Sequence, residues 1–283
     1  ARDAPRGRTF SLWCFSPGVA MKALKRLGVR SMLLTSGTLS PMKSFATSMQ
    51  VPFPIQLSNG HVVRENQVWI SSVHEGPTRH TLNSTYHKRD TPAYKRELGR
   101  CVSNFARIVP SGMLVFFPSY SVMQRCLQFW KVDERGKIWQ SLERAKECCV
   151  EPRGSSEFPA VIEAFETAAK DSSRGAILFA VCRGKASEGI DFSDHCARAV
   201  LVTGLPFPPK FDPKIRLKRA FLTDMWGSQA GNEWYVQQAS RAVNQAIGRV
   251  IRHRNDYGAI LLCDERFSFA NQRKDLSQWV QPL

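Results

Sequence analysis

Seven short apolar runs, rich in branched side chains, alternate with longer stretches of helical periodicity. This pattern limits what the chain can become. The runs are residues 31–35 (SMLLT), 67–73 (QVWISSV), 112–117 (GMLVFF), 147–150 (ECCV), 176–182 (AILFAVC), 199–203 (AVLVT) and 259–263 (AILLC). Helical patterns cover 92–108, 119–130, 156–170, 212–225 and 233–252. Strands alternating with helices predict an α/β fold with a mainly parallel sheet and helices on both faces. Most of the runs are continuously apolar, as expected of strands covered on both sides. Run 67–73 alternates, which places it nearer an edge.

In such sheets ligands bind beyond the carboxyl ends of the strands. The segments to search are therefore Ser36-Gly37-Thr38, Pro118-Ser119-Tyr120, Arg183-Gly184-Lys185 and Gly204-Leu205-Pro206. Residues 206–213 are proline-rich and read as a rigid connector, because each proline fixes its own φ and restrains its predecessor.

With 283 residues, the chain fits one large domain over 1–283. The composition, 43% apolar and 23% charged, excludes a disordered tail or a fibrous repeat. Forty lysines and arginines against 24 acids leave a net charge of +16, which favours a polyanionic partner. No apolar run reaches the ~18 residues of a membrane-spanning helix, so no membrane partner is expected. The first residues have neither an initiator methionine nor the apolar core of a signal peptide, which suggests a segment of something longer. The eight cysteines include no C-x-x-C pair, and the six histidines lack ligand spacing. Reduced, mostly buried thiols and no metal site are the expectation.

Two segments hold the candidate chemistry. Over 237–253, Ala239, Ala242, Val243, Ala246, Ile247, Val250 and Ile251 form one apolar stripe at helical spacing. Arg241, Gln245, Arg249 and Arg252 line another side with no acid among them, and Gly248 lies in the same helical pattern. Like charges at this spacing repel, and a mid-helix glycine costs about 1 kcal/mol. A helix tolerating both suits an anionic ligand gripped by guanidiniums, with Gly248 allowing close approach. The plainer reading is a solvated basic face.

The second segment, residues 183–192 (RGKASEGIDF), directly follows a buried run. Arg183 and Lys185 suit phosphates; Glu188 and Asp191 suit a ribose, a water or a basic partner. An ordinary glycine-containing turn is the competing reading. The segment is no Walker A loop, since Phe179 and Ala186 stand where that motif needs glycine and serine or threonine. Residues 259–265 (AILLCDE) imitate a Walker B strand, but there is no Walker A to serve. Asp264 and Glu265 are therefore expected to end a strand and offset Arg266. No G-x-S-x-G elbow is present.

Taken in order, LLTSGTLSP (33–41), LVFFPSY (114–120), AVCRGKASEGIDFSD (180–194) and QAIGRVIRHRNDYG (245–258) resemble motifs III to VI of superfamily 2 DNA helicases. They are most similar to the iron–sulfur, xeroderma pigmentosum group D-like branch. Within it, WCFSPG (13–18) and VTGLPFPP (202–209) resemble members that act at telomeres; TSGTLSPMKSF also resembles the Fanconi anaemia group J type. The resemblance implies a RecA-like, P-loop NTPase-type lobe 2, with residues 1–50 packing at the lobe boundary. It implies ATP and Mg2+ bound jointly with an N-terminal lobe that carries Walker A and B, and a [4Fe-4S] cluster in the full-length protein. This segment alone would then be inactive.

By the same resemblance, Gln245 lies at the nucleotide cleft, and Arg252, then Arg249, are arginine fingers. Gly189 and Asp191 face the nucleotide; Arg183 and Lys185 lean toward DNA, with Thr38, Ser40 and Ser119 as further strand contacts. Implied partners are single-stranded and branched DNA. Implied roles are nuclear 5′-to-3′ unwinding in telomere maintenance, DNA repair and recombination control. A non-catalytic nucleic-acid-binding module of the same fold is the alternative.

Overall fold

The computed structural model describes residues 10–36, 39, 42–58, 60, 62–171, 173–192 and 194–281. Two helices come first, α1 (Gly18–Arg26) and α2 (Met42–Met49). The order then runs β1 (Val68–Ser72), α3 (Pro92–Ile108), β2 (Gly112–Phe117), α4 (Tyr120–Val132), α5 (Lys137–Ala145), β3 (Glu147–Val150), α6 (Phe158–Lys170), β4 (Ala176–Val181), β5 (Ala199–Val202), α7 (Pro213–Trp226), α8 (Ala230–Ile247), β6 (Gly258–Leu262) and α9 (Ala270–Arg273).

The six strands form one sheet in the order β1-β6-β5-β2-β4-β3, with every pairing parallel. Side chains alternate between the faces, and both faces are covered. Leu114, Phe116, Leu178, Val200 and Ile260 meet Phe165 of α6 and Val243 and Ile247 of α8. Met113, Val115, Phe179, Leu201 and Leu261 meet Leu98 of α3, Met123 of α4 and Leu142 of α5. Run 67–73 forms β1, at an edge, as its alternation suggests.

Local signals start the helices where expected. Thr91 caps α3 ahead of Pro92, Ser119 caps α4, and Asp212 caps α7 ahead of Pro213. The cysteines are free thiols, and six of them are buried. Among the described residues, no helix is long and apolar enough to cross a membrane.

Two sequence expectations fail. Residues 31–35 form no strand: Leu33 is 85% exposed, because no described strand pairs with the run. The helical pattern over 233–252 also stops early. Gly248 caps α8, its N–H bonding to the Asn244 carbonyl at 3.0 Å, and the chain continues as tight turns through Arg249 and Val250. Val250 and Ile251 stay buried, so the apolar stripe outlasts the helix. Helix α5 was not anticipated. It follows a turn in which Glu134 and Arg135 hold left-handed backbone angles.

Candidate nucleotide and nucleic-acid site

The two candidate segments meet. The loop after β4 runs from Cys182 to Phe192, and Phe192 plugs it into the core against Phe165. Gly189 takes φ +81, a left-handed turn that suits glycine. This turn presents the Ser187 and Ile190 carbonyls and the exposed Asp191 to the segment beyond α8.

Arg249 spends its guanidinium on that loop, donating to the carbonyls of Ser187 and Ile190. Its Nε is buried without a partner among the described residues. Burial, and then the like charge of Arg252, push its pKa below the ordinary arginine value, while Asp191 and Glu188 oppose them. Arg252 lies further out. Its Nε pairs with Asp191 at 2.8 Å and its Nη2 reaches Ile190 O at 3.4 Å. The side chain is 26% exposed and Asp191 is 72% exposed. A row of arginines with no acid is therefore corrected: Arg252 has an acid, supplied by the other segment. Arg249, Arg252 and Gly248 also lie beyond the helical ladder rather than on one helical face.

Gln245 is half-buried on α8, with no hydrogen-bond partner for its amide among the described residues. Glu188 is exposed beside Gly189.

The backbone at Arg252 is fixed by a residue that the sequence pattern does not single out. Asp256 is fully buried; it accepts from the Arg252 N–H at 3.0 Å and the Tyr257 N–H at 2.9 Å, and pairs with Arg198 at 2.7 Å. His253 Nε2 lies 3.0 Å from Asp194, adding another tie between the segments. Asp194, His253 and Asp256 bring ligand atoms within 4.8 Å of one another. Arg198 lies among them, 2.7 Å from Asp256 and 3.7 Å from Asp194, and already supplies the positive charge that a metal ion would bring.

The nucleic-acid candidates gather at the carboxyl ends of β2 and β4. Ser119 accepts from the Val122 N–H at 3.4 Å as the α4 cap and lies 3.1 Å from Ser121 Oγ. Arg183, exposed and at φ +62, donates to Gln238 O at 2.6 Å. Lys185 donates to the carbonyls of Arg153, at 2.9 Å, and Gly154. Both cations are thus oriented by carbonyls, and among the described residues neither forms an ion pair. Thr38 and Ser40 lie outside the described residues.

Asp264 cannot act as a magnesium ligand of the Walker B kind. It is fully buried and accepts from the Ser84 and Arg266 N–H groups at 2.7 and 3.0 Å, and from Arg266 Nε and Nη2 at 2.8 Å each. It ends its strand and offsets Arg266, as expected.

The family model described as the helicase C-terminal domain matches residues 102–283. The chain is 53% identical to the regulator of telomere elongation helicase 1 homolog of Oryza sativa subsp. japonica over 290 residues, 97% of this chain and 28% of that protein. It is 51% identical to regulator of telomere elongation helicase 1 of Mus musculus over 285 residues, 98% of this chain and 23% of that one. It therefore spans about a quarter of the length of these curated relatives. A solved XPD helicase superposes with a TM-score of 0.65 at 22% identity, over 92% of this chain and 43% of that one. That likeness carries the RecA-like fold to this sheet. By the motif order, the shared fold and the matched model, the chain belongs to the helicase C-terminal domain family.

Proposed function

We propose that this chain is the second motor lobe of an ATP-dependent 5′-to-3′ DNA helicase serving telomere maintenance, DNA repair and recombination control in the nucleus. One observation carries the nucleotide role: Arg249 and Arg252 converge on the loop that bears Gly189 and Asp191. Arg249 braces that loop. Arg252 is held at its outer surface by one exposed carboxylate and a long bond to the Ile190 carbonyl, and exposed ion pairs contribute little. A phosphate, which the guanidinium fork also grips bidentately, can take the place of Asp191. In this reading Arg252 stabilises charge on the transferring phosphoryl group, Arg249 positions the loop, and Gln245, Glu188 and Gly248 border the nucleotide.

Asp264 is saturated by its own neighbours and does not supply the Mg2+ ligand. Magnesium and the Walker motifs belong to an N-terminal lobe in this proposal, as does the [4Fe-4S] cluster, and this chain alone turns over no ATP. Arg183, Lys185 and Ser119 contact a single-stranded DNA backbone, branched DNA being the larger substrate. The net charge of +16 suits such contacts, which are electrostatic and sequence-tolerant.

A second reading, a nucleic-acid-binding module without nucleotide chemistry, draws on Arg249 being engaged by carbonyls of its own chain. The two separate when the N-terminal lobe is present and DNA-stimulated ATP hydrolysis is measured. Arg252→Ala should abolish turnover and leave DNA affinity within a few-fold. Undiminished hydrolysis would remove Arg252 from the cleft.

A further inference from the structure

Between the two DNA-contacting segments lies a buried carboxylate that belongs to neither. Glu151 follows β3 directly, its N–H bonding to Phe179 O at 2.8 Å, and its side chain is almost wholly buried. It accepts three hydrogen bonds. Oε2 takes the Val181 N–H at 2.9 Å; Oε1 takes the Lys185 N–H at 2.7 Å and the Tyr120 hydroxyl at 2.7 Å. No lysine or arginine among the described residues forms an ion pair with it. The fit is close: a Cβ on Gly184 would come 2.5 Å from Oε1, so the loop closes over the carboxylate only with glycine there.

These contacts join separate strand ends. Tyr120 is the residue after Ser119, at the end of β2. Val181 and Lys185 flank Arg183, at the end of β4. The segment from Glu151 to Gly154 also holds Lys185 Nζ through two carbonyls and places Arg153 over the Tyr120 ring, 5.8 Å from its centroid. With three neutral donors and no ion-pair partner, this carboxylate fixes where those donors lie, and Arg183 and Lys185 keep their side-chain N–H groups for other acceptors.

We propose that Glu151 is a positioning residue for single-stranded DNA: through Tyr120, Val181 and Lys185 it sets the spacing between Ser119 and the Arg183–Lys185 cations. The inference rests on the DNA reading above, and its test separates the two. Glu151→Gln keeps the shape but turns an amide N–H2 toward at least one donor, which leaves that donor unpaired. Affinity for a fluorescent oligothymidine at low salt should fall by about tenfold. Tyr120→Phe, which loses one bond and keeps the ring, should fall by less. The double variant should fall no further than Glu151→Gln, because both act through one carboxylate.

Leu142→Ala, on the buried face of α5, provides a comparison with lowered Tm; it should bind DNA as the parent does. Amide exchange at Val181 and Lys185 should accelerate in Glu151→Gln and stay unchanged in Leu142→Ala. Parental affinity in Glu151→Gln, alongside weakened Arg183→Ala and Lys185→Ala, would overturn the positioning role. So would equal losses in Glu151→Gln and Leu142→Ala. Parental affinity in Arg183→Ala and Lys185→Ala would remove the DNA reading itself, and this proposal with it.

Discussion

The same chemical pair stands at two strand ends of this molecule with opposite consequences. Beyond β6, Arg266 meets Asp264, whose side chain is 0% exposed and which accepts four hydrogen bonds. In the loop after β4, Asp191 meets Arg252 through one contact with the acid 72% exposed. The first pair is a fastener, because breaking a buried pair strands a charge without solvent. The second is readily exchanged, because water competes for its partners and, under the proposed function, a phosphate would too. Saturation and burial separate structure from function here better than residue type does.

The largest effect should come from the exposed arm. With the N-terminal lobe present, Arg252→Ala should lower ATP turnover by about 10³-fold or more, measured as steady-state phosphate release, while its Tm barely changes. A large Tm loss would make Arg252 a second fastener and erase the contrast. Asp264→Ala should destabilise the chain by about 3–5 kcal/mol in urea titrations, since it leaves Arg266 without its acid and the Ser84 N–H unpaired. A loss under about 1 kcal/mol would show that the buried pair is as replaceable as the exposed one.

Lys146 sharpens the comparison, because it is a buried charge with no ion-pair partner among the described residues. Its Nζ donates to Ser111 O at 2.7 Å and Arg174 O at 3.3 Å, and burial lowers its pKa from 10.5 to about 8. The unfolded chain then binds the proton more tightly than the folded one. Lys146 therefore depresses stability below about pH 8, and this penalty is relieved as pH rises toward 10.5, by up to about 3 kcal/mol. Lys146→Met should lack that rise, so the difference between the two proteins' stability should change between about pH 8 and 10.5; parallel stability–pH curves would mean that the lysine is not desolvated. The smallest effect belongs to Asp191→Asn, which should change stability by under about 1 kcal/mol in the same urea titrations. A loss as large as that of Asp264→Ala would contradict a replaceable resting partner.

The central strands were legible because their residues are apolar on both faces and the sheet covers both. Residues 31–35 carry a similar pattern without a described strand beside them, and composition cannot report a missing neighbour. The end of α8 was hidden for the opposite reason. Val250 and Ile251 continue the apolar phase because the turn also buries them, and burial does not require a helix. The meeting of RGKASEGIDF with the arginines was anticipated only through family resemblance. Glu151 and Asp256 escaped notice because their value lies in partners 30 and 58 residues away. Arg252's acid was missed for the same reason.

Because α8 ends at Gly248, the arginines beyond it do not follow the arithmetic of a helix, in which one inserted residue swings everything downstream by about 100°. Their reach is that of a short span pinned at both ends, by the cap at Gly248 and by Asp256 holding the main chain at 252 and 257. Such a bridge tolerates changes of residue at the exposed positions 254 and 255 far better than changes of length. Adding or deleting a single residue there should do more harm than replacing both.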